Sequence, residues 1–175
     1  MNRLIGKVFV RNLGFIVFIL TPLLLQGQID EKHVQKISRY IEKFNAYSKV
    51  IHDSMFIDGG YEIEVLTSFS DLAHEAYLHA FYISGMLDIL TKIDNSDERT
   101  PAINRIKFYI KGAVLFMKIA DKMLLSDINL SKNTTVISMG MKLKEDAEKF
   151  ATELETVKGD LEYDYTYNPE TYNHK

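Results

Sequence analysis

Four stretches of this chain carry apolar residues at alternating spacings of three and four, and that period restricts the fold more than any other feature. Such spacing puts one stripe along one face of a helix. The first stripe is Val34, Ile37, Ile41, Phe44, Ser48, Ile51 and Met55. The second is Leu66, Phe69, Ala73, Ala76, Ala80, Ile83, Leu87 and Leu90. Ile103, Ile106, Ile110, Ala113, Met117, Ala120 and Leu124 form the third. Val136, Gly140, Leu143, Ala147, Phe150, Leu154, Val157 and Leu161 form the fourth.

Turn signals separate them. Asp58-Gly59-Gly60 ends the first segment, and Asp94-Asn95-Ser96-Asp97 ends the second. Thr100-Pro101 then reads as N-cap and first residue of the third helix. The stretch from Asp127 to Thr135 separates the third from the fourth, with Ser131, Asn133 and Thr134 as candidate caps. No strand pattern competes before the tail. The expectation is an all-α fold, an antiparallel up-down-up-down four-helix bundle over residues 28–162. With 175 residues, the chain suffices for one domain with a real core.

Residues 1–27 differ from the rest. Arg3, Lys7 and Arg11 form a basic start without an acid, and Leu13 to Leu25 then runs without a charge to Gln26-Gly27-Gln28. This is the layout of a signal peptide, and the run is shorter than the roughly twenty apolar residues of a spanning helix. The expected location is secreted or periplasmic, with an uncleaved membrane anchor as the alternative. Residues 163–175 form a tyrosine-rich acidic tail, in which Tyr163, Tyr165 and Tyr167 would share one side of an extended chain. Nine of the 24 acidic residues lie in 145–175, against Lys149, Lys158 and Lys175.

Composition and motifs remove several function classes. No cysteine is present, which excludes disulfides, thiolate metal sites and a cysteine nucleophile. A net charge of −3 lacks the basic surplus of a general nucleic-acid binder. His74 and His79 are five apart, not the four of HExxH. Glu75 and His79, with Asp71 one turn earlier, have chelating spacing but read better as a solvated patch. Asp30-x-x-His33 and Asp71-x-x-His74 fall short of a di-iron carboxylate set. There is no glycine-rich phosphate loop and no nucleophile elbow. Asn129 and Asn133 begin glycosylation-type triplets, relevant only in a eukaryotic secretory pathway. No cofactor, metal or catalytic residue is expected, and the protein reads as non-enzymatic.

The middle two helices are too apolar for simple bundle helices. Lys32, Lys36, Arg39 and Lys43 give the first helix a polar side, and Glu145, Glu148, Thr152 and Glu155 do so for the fourth. Opposite its core stripe, the second helix instead carries Leu78, Tyr82, Gly85 and Ile89. The third carries Phe108, Gly112, Leu115 and Ile119 opposite its own. Both second stripes contain a glycine, which costs a helix about 0.5–1 kcal/mol relative to alanine and invites a packing reason. These eight residues are the candidate face for a protein partner, most simply a second copy of the chain. The alternative is a small apolar ligand or cofactor held between the helices and lined by Tyr77, Phe81, Tyr109 and Phe116.

Overall fold

The computed structural model describes residues 31–55, 62–93 and 96–167. The segment read as a signal peptide, the Asp58-Gly59-Gly60 turn and the tail after Tyr167 lie outside the described residues. Among the described residues there are four helices and no strand. They are α1 (31–55), α2 (Ile63–Leu90), α3 (Ser96–Leu130) and α4 (Thr134–Tyr167). None is long and apolar enough to cross a membrane.

One core joins all four. Ile37, Phe44 and Ile51 of α1 are buried, as are all positions of the stripes on α2, α3 and α4. Full burial of a side chain of this size contributes roughly 1.5–3 kcal/mol, so the shared core dominates the folding energy. At its α1–α4 side the Phe44 and Phe150 rings meet edge-on at 5.4 Å, and Tyr40 lies 4.9 Å from Phe150.

Polar contacts flank this core and fix which helices are neighbours. Between α1 and α4, Lys36 pairs with Glu153 and Lys43 with Asp146, each at 2.7 Å, while Tyr47 donates to Asp146 at 2.9 Å. His33, fully buried, comes within 3.2 Å of Asp160. Lys36 and Lys43 therefore border a helix contact, while Lys32 and Arg39 stay exposed on the polar side. The Ser38 and Ser84 hydroxyls are 3.0 Å apart between α1 and α2. From α2 to α3, Ser68 donates to Asp127 at 2.5 Å, and the His79 and Phe116 rings are 5.2 Å apart. From α3 to α4, Asp121 pairs with Lys144 at 2.7 Å and Lys107 with Glu162 at 3.5 Å.

The helix ends differ from the sequence expectation in three places. First, α3 starts at Ser96, so Pro101 is inside the helix, not at its first position. Asp97 and Glu98 in the first turn suit the helix N-terminus. Arg99 donates to the Leu90 carbonyl at 2.8 Å, so one side chain ties the start of α3 to the end of α2. Second, α3 continues through Asp127 to Leu130, leaving only 131–133 as the connection to α4. Ile128 is buried and Asp127 is held by Ser68, which keeps those residues helical. Asn133 is the cap: its side-chain oxygen accepts from the Thr135 N–H at 2.9 Å. Glu62, just before α2, accepts from the Lys132 N–H of this turn at 3.0 Å. Third, α4 extends to Tyr167, five residues past the expected bundle boundary, so residues 163–167 are not the extended strand that would align three tyrosine rings.

Candidate association face

Successive residues of an α-helix are about 100° apart, so positions opposite a core stripe point away from the bundle interior. On α2 and α3 those positions are the second apolar stripes. Tyr82 is 57% exposed and Ile89 59%. On α3, Phe108 is 76% exposed, Leu115 59% and Ile119 51%. Leu78 departs from the expectation, because it is half-buried. The connection 131–133 is held at the start of α2 by Glu62.

The two glycines separate this face from the interior. A β-carbon on Gly85 or Gly112 would meet nothing within 4 Å. A β-carbon on Gly140 would lie 2.5 Å from the Phe69 ring and 2.7 Å from Ile128. Gly140 is therefore needed by the core, whereas packing among the described residues gives Gly85 and Gly112 no role.

Rings extend the face beyond the eight residues chosen from the sequence. Phe81 and Tyr82 meet edge-on at 5.9 Å, and Tyr77 stacks on Phe81 at 6.1 Å. Phe108 and Tyr109 are perpendicular at 6.3 Å. Met123, half exposed, continues the α3 stripe by one turn, and its position four residues after Ile119 was the signal for it.

Ring contacts place the four proposed ligand-lining residues in three separate pairs. Tyr77 contacts Phe81, Tyr109 contacts Phe108, and Phe116 contacts His79. Phe81 and Tyr109 are exposed, while Tyr77 and Phe116 pack partly against the core. Open grooves occur elsewhere. One of about 600 Å³ runs between the end of α2 and the start of α3, bordered by Met86, Ile89, Pro101 and Arg105. Another of about 710 Å³ lies between α3 and α4, bordered by Leu115, Ile119 and Ala151. A third, about 660 Å³, lies between α1 and α4 beside Tyr47, Val50 and Met139. Ile89 and the Leu115–Ile119 pair thus edge shallow depressions on either side of α3.

Electrostatically, the outer faces of the two helices are opposite. α2 carries Glu64, Asp71, Glu75 and Asp88 and no lysine or arginine. On α3, Lys107 and Asp121 are engaged with α4, and Lys111, Lys118 and Lys122 are exposed. Burial holds the His79 imidazole below its ordinary pKa, with Glu75 opposing the shift. His79 turns toward Phe116, and Asp71 and Glu75 are exposed. Among the described residues, no group of three or more His, Asp or Glu side chains is gathered closely enough to hold a metal ion.

Compared with protein-family models, curated proteins and solved structures, the chain gives no match.

Proposed function

We propose that this is an exported, non-enzymatic helical-bundle protein that acts by binding another protein chain through the outer face of α2 and α3. One observation carries the reading: large apolar side chains at Tyr82, Ile89, Phe108, Leu115 and Ile119 stay exposed in one register on adjacent helices. Single exposed apolar residues are ordinary, but an aligned set on a soluble domain marks an interaction surface. Two interior glycines that serve no packing within the described residues fit a surface that another backbone approaches.

The antiparallel up-down-up-down arrangement belongs to the same proposal. Its support is the order of the pairs. Lys36 and Lys43 reach Glu153 and Asp146, Ser68 and His79 reach Asp127 and Phe116, and Lys107 and Asp121 reach Glu162 and Lys144. In each case the partner's number falls as the first residue's rises. Export rests on the basic start and uncharged run of residues 1–27.

The test is native mass spectrometry of the protein recovered after export through its own N-terminus, beside a Leu115→Lys variant. The expected result is a chain starting near Gln28 in complex with a further chain, and a helical but uncomplexed variant. A complex that survives the substitution unchanged would move the contact elsewhere on the molecule.

A further inference from the structure

We infer that the groove between α1 and α4 binds a free aliphatic monocarboxylate, with Lys142 and Ser138 on its carboxylate and Val50 and Met139 along its chain. This site lies apart from the α2–α3 face and does not depend on what that face binds.

At about 660 Å³ the groove has the size of a small-molecule site, for which the usual range is roughly 300–1,000 Å³. Its α1 wall carries Ala46, the Tyr47 ring and the half-exposed Val50. Its α4 wall carries Met139 beside Thr135, Ser138 and Lys142. Those three polar residues are three and four apart, so they share one face of α4. Apolar surface and a row of polar groups thus border the same groove, as an amphiphile requires.

The polar groups of that row are unused. The hydroxyls of Ser38, Ser54, Thr152 and Thr156 bond to the carbonyl one turn back in their helices. The Thr135 and Ser138 hydroxyls make no such bond among the described residues. Lys144, Lys149 and Lys158 of α4 each hold a carboxylate, whereas Lys142 holds none among the described residues. The acid one turn on is committed to α1 instead. One oxygen of Asp146 accepts from Lys43 and the other from the Tyr47 hydroxyl. Burial, and then this bond, keep the phenol protonated, so Tyr47 presents a neutral ring to the groove. Lys43 and Asp146 cancel, which leaves the lining with the single positive charge of Lys142. The helix end adds little, because the Thr135 and Val136 N–H groups already donate to Asn133.

One uncompensated cation selects the ligand. A monocarboxylate brings one negative charge, with acceptor oxygens for the Lys142 ammonium and the Ser138 hydroxyl one turn before it. A phosphate dianion is better matched by a second cation or the planar fork of an arginine, and no arginine lines this groove. An aliphatic chain on the carboxylate would cover Val50 and Met139 together, a contact that acetate is too short to make.

Decanoate added to the purified full chain tests the site, read by titration calorimetry and by the ¹³C signal of its labelled carboxyl group. The expected result is saturable one-to-one binding that Lys142→Gln weakens about tenfold or more, the usual loss for a charge-assisted hydrogen bond. Val50→Asp should abolish binding through charge repulsion and lost apolar contact. Both positions are exposed, so each variant should keep native helicity and its urea midpoint. Decanol, which lacks the charge, should bind the native protein and Lys142→Gln alike.

Absence of saturable decanoate binding would overturn the inference, as would binding indifferent to Lys142→Gln or to Val50→Asp. Displacement of decanoate by an equal concentration of inorganic phosphate would overturn the carboxylate as the recognised group. None of these outcomes bears on the α2–α3 face, whose own test is the loss of a complex in Leu115→Lys.

Discussion

The Phe69 ring lies over Gly140 so closely that a β-carbon there would sit 2.5 Å from it. Both residues are buried, Phe69 on α2 and Gly140 on α4, so the ring and the bare backbone fill one space. Adding a methyl group forces Phe69 or Ile128 to move, and overpacking of this kind costs about 1–3 kcal/mol. The helix-propensity gain of alanine over glycine, roughly 1 kcal/mol, opposes it. Gly140→Ala should therefore lower the urea midpoint, and an unchanged or higher midpoint would show that the ring relocates freely.

The opposite sign is expected at Gly85 and Gly112. With open space around each, alanine should stabilise the isolated chain by about 0.5–1 kcal/mol per site. The same substitutions thicken the proposed contact where the two backbones approach. Thermal unfolding of dilute protein should shift upward while binding through the proposed face weakens. Stabilisation with undiminished association would mean that the glycines are not at the contact.

His79 should make the fold sensitive to mild acid. Burial holds its folded-state pKa below the ordinary 6.5, so the folded chain resists taking up the proton that the unfolded chain accepts. Its contribution to stability is complete above about pH 6.5 and declines as pH falls from there through the lowered folded value. Urea midpoints measured at neutral and at mildly acidic pH should diverge more for the native protein than for His79→Gln. Equal declines in the two would show that His79 protonates as readily folded as unfolded.

Asn133 should be worth more than its exposed neighbours in the α3–α4 turn. Its side chain accepts from the Thr135 N–H, and exchange of such a cap for alanine costs about 1 kcal/mol. Asn133→Ala is expected to lower stability by that amount, whereas Lys132→Ala keeps the backbone N–H that Glu62 accepts and should change little. Chemical unfolding of the two variants side by side distinguishes them.

The helical pattern was legible because a 3–4 spacing reports one buried face whatever that face packs against. From Leu66 to Leu161, all stripe positions on α2, α3 and α4 are buried. The exposed second stripes were legible for the same reason, with Leu78 the exception. Helix ends were not, because residues distant in the chain help to set them. Asp127 sits among turn-forming residues, yet its carboxylate is held by Ser68, 59 positions away, and α3 runs on past it. Thr100-Pro101 has the local chemistry of a helix start, but α3 begins a turn earlier, at Ser96, with Arg99 anchored to Leu90. The ligand-lining set was chosen by residue type. Tyr77, Phe81, Tyr109 and Phe116 are the right residue types, but each ring already has a neighbour on a surface or a flank.

The pairing of the first described helix with the last has a consequence for synthesis. Lys36 meets Glu153 across 117 positions and Tyr47 meets Asp146 across 99, so α1 has no such seam until nearly the whole chain exists. Contacts this remote are slow to close, because chain entropy must be lost before they form. A nascent chain truncated before α4 should leave α1 unprotected against amide hydrogen exchange, while α2 and α3 already hold one another through Ser68, His79 and Arg99. Were the chain exported as proposed, it would gain from such an order: its leading helix would stay unlocked until the trailing helix had followed it through the channel.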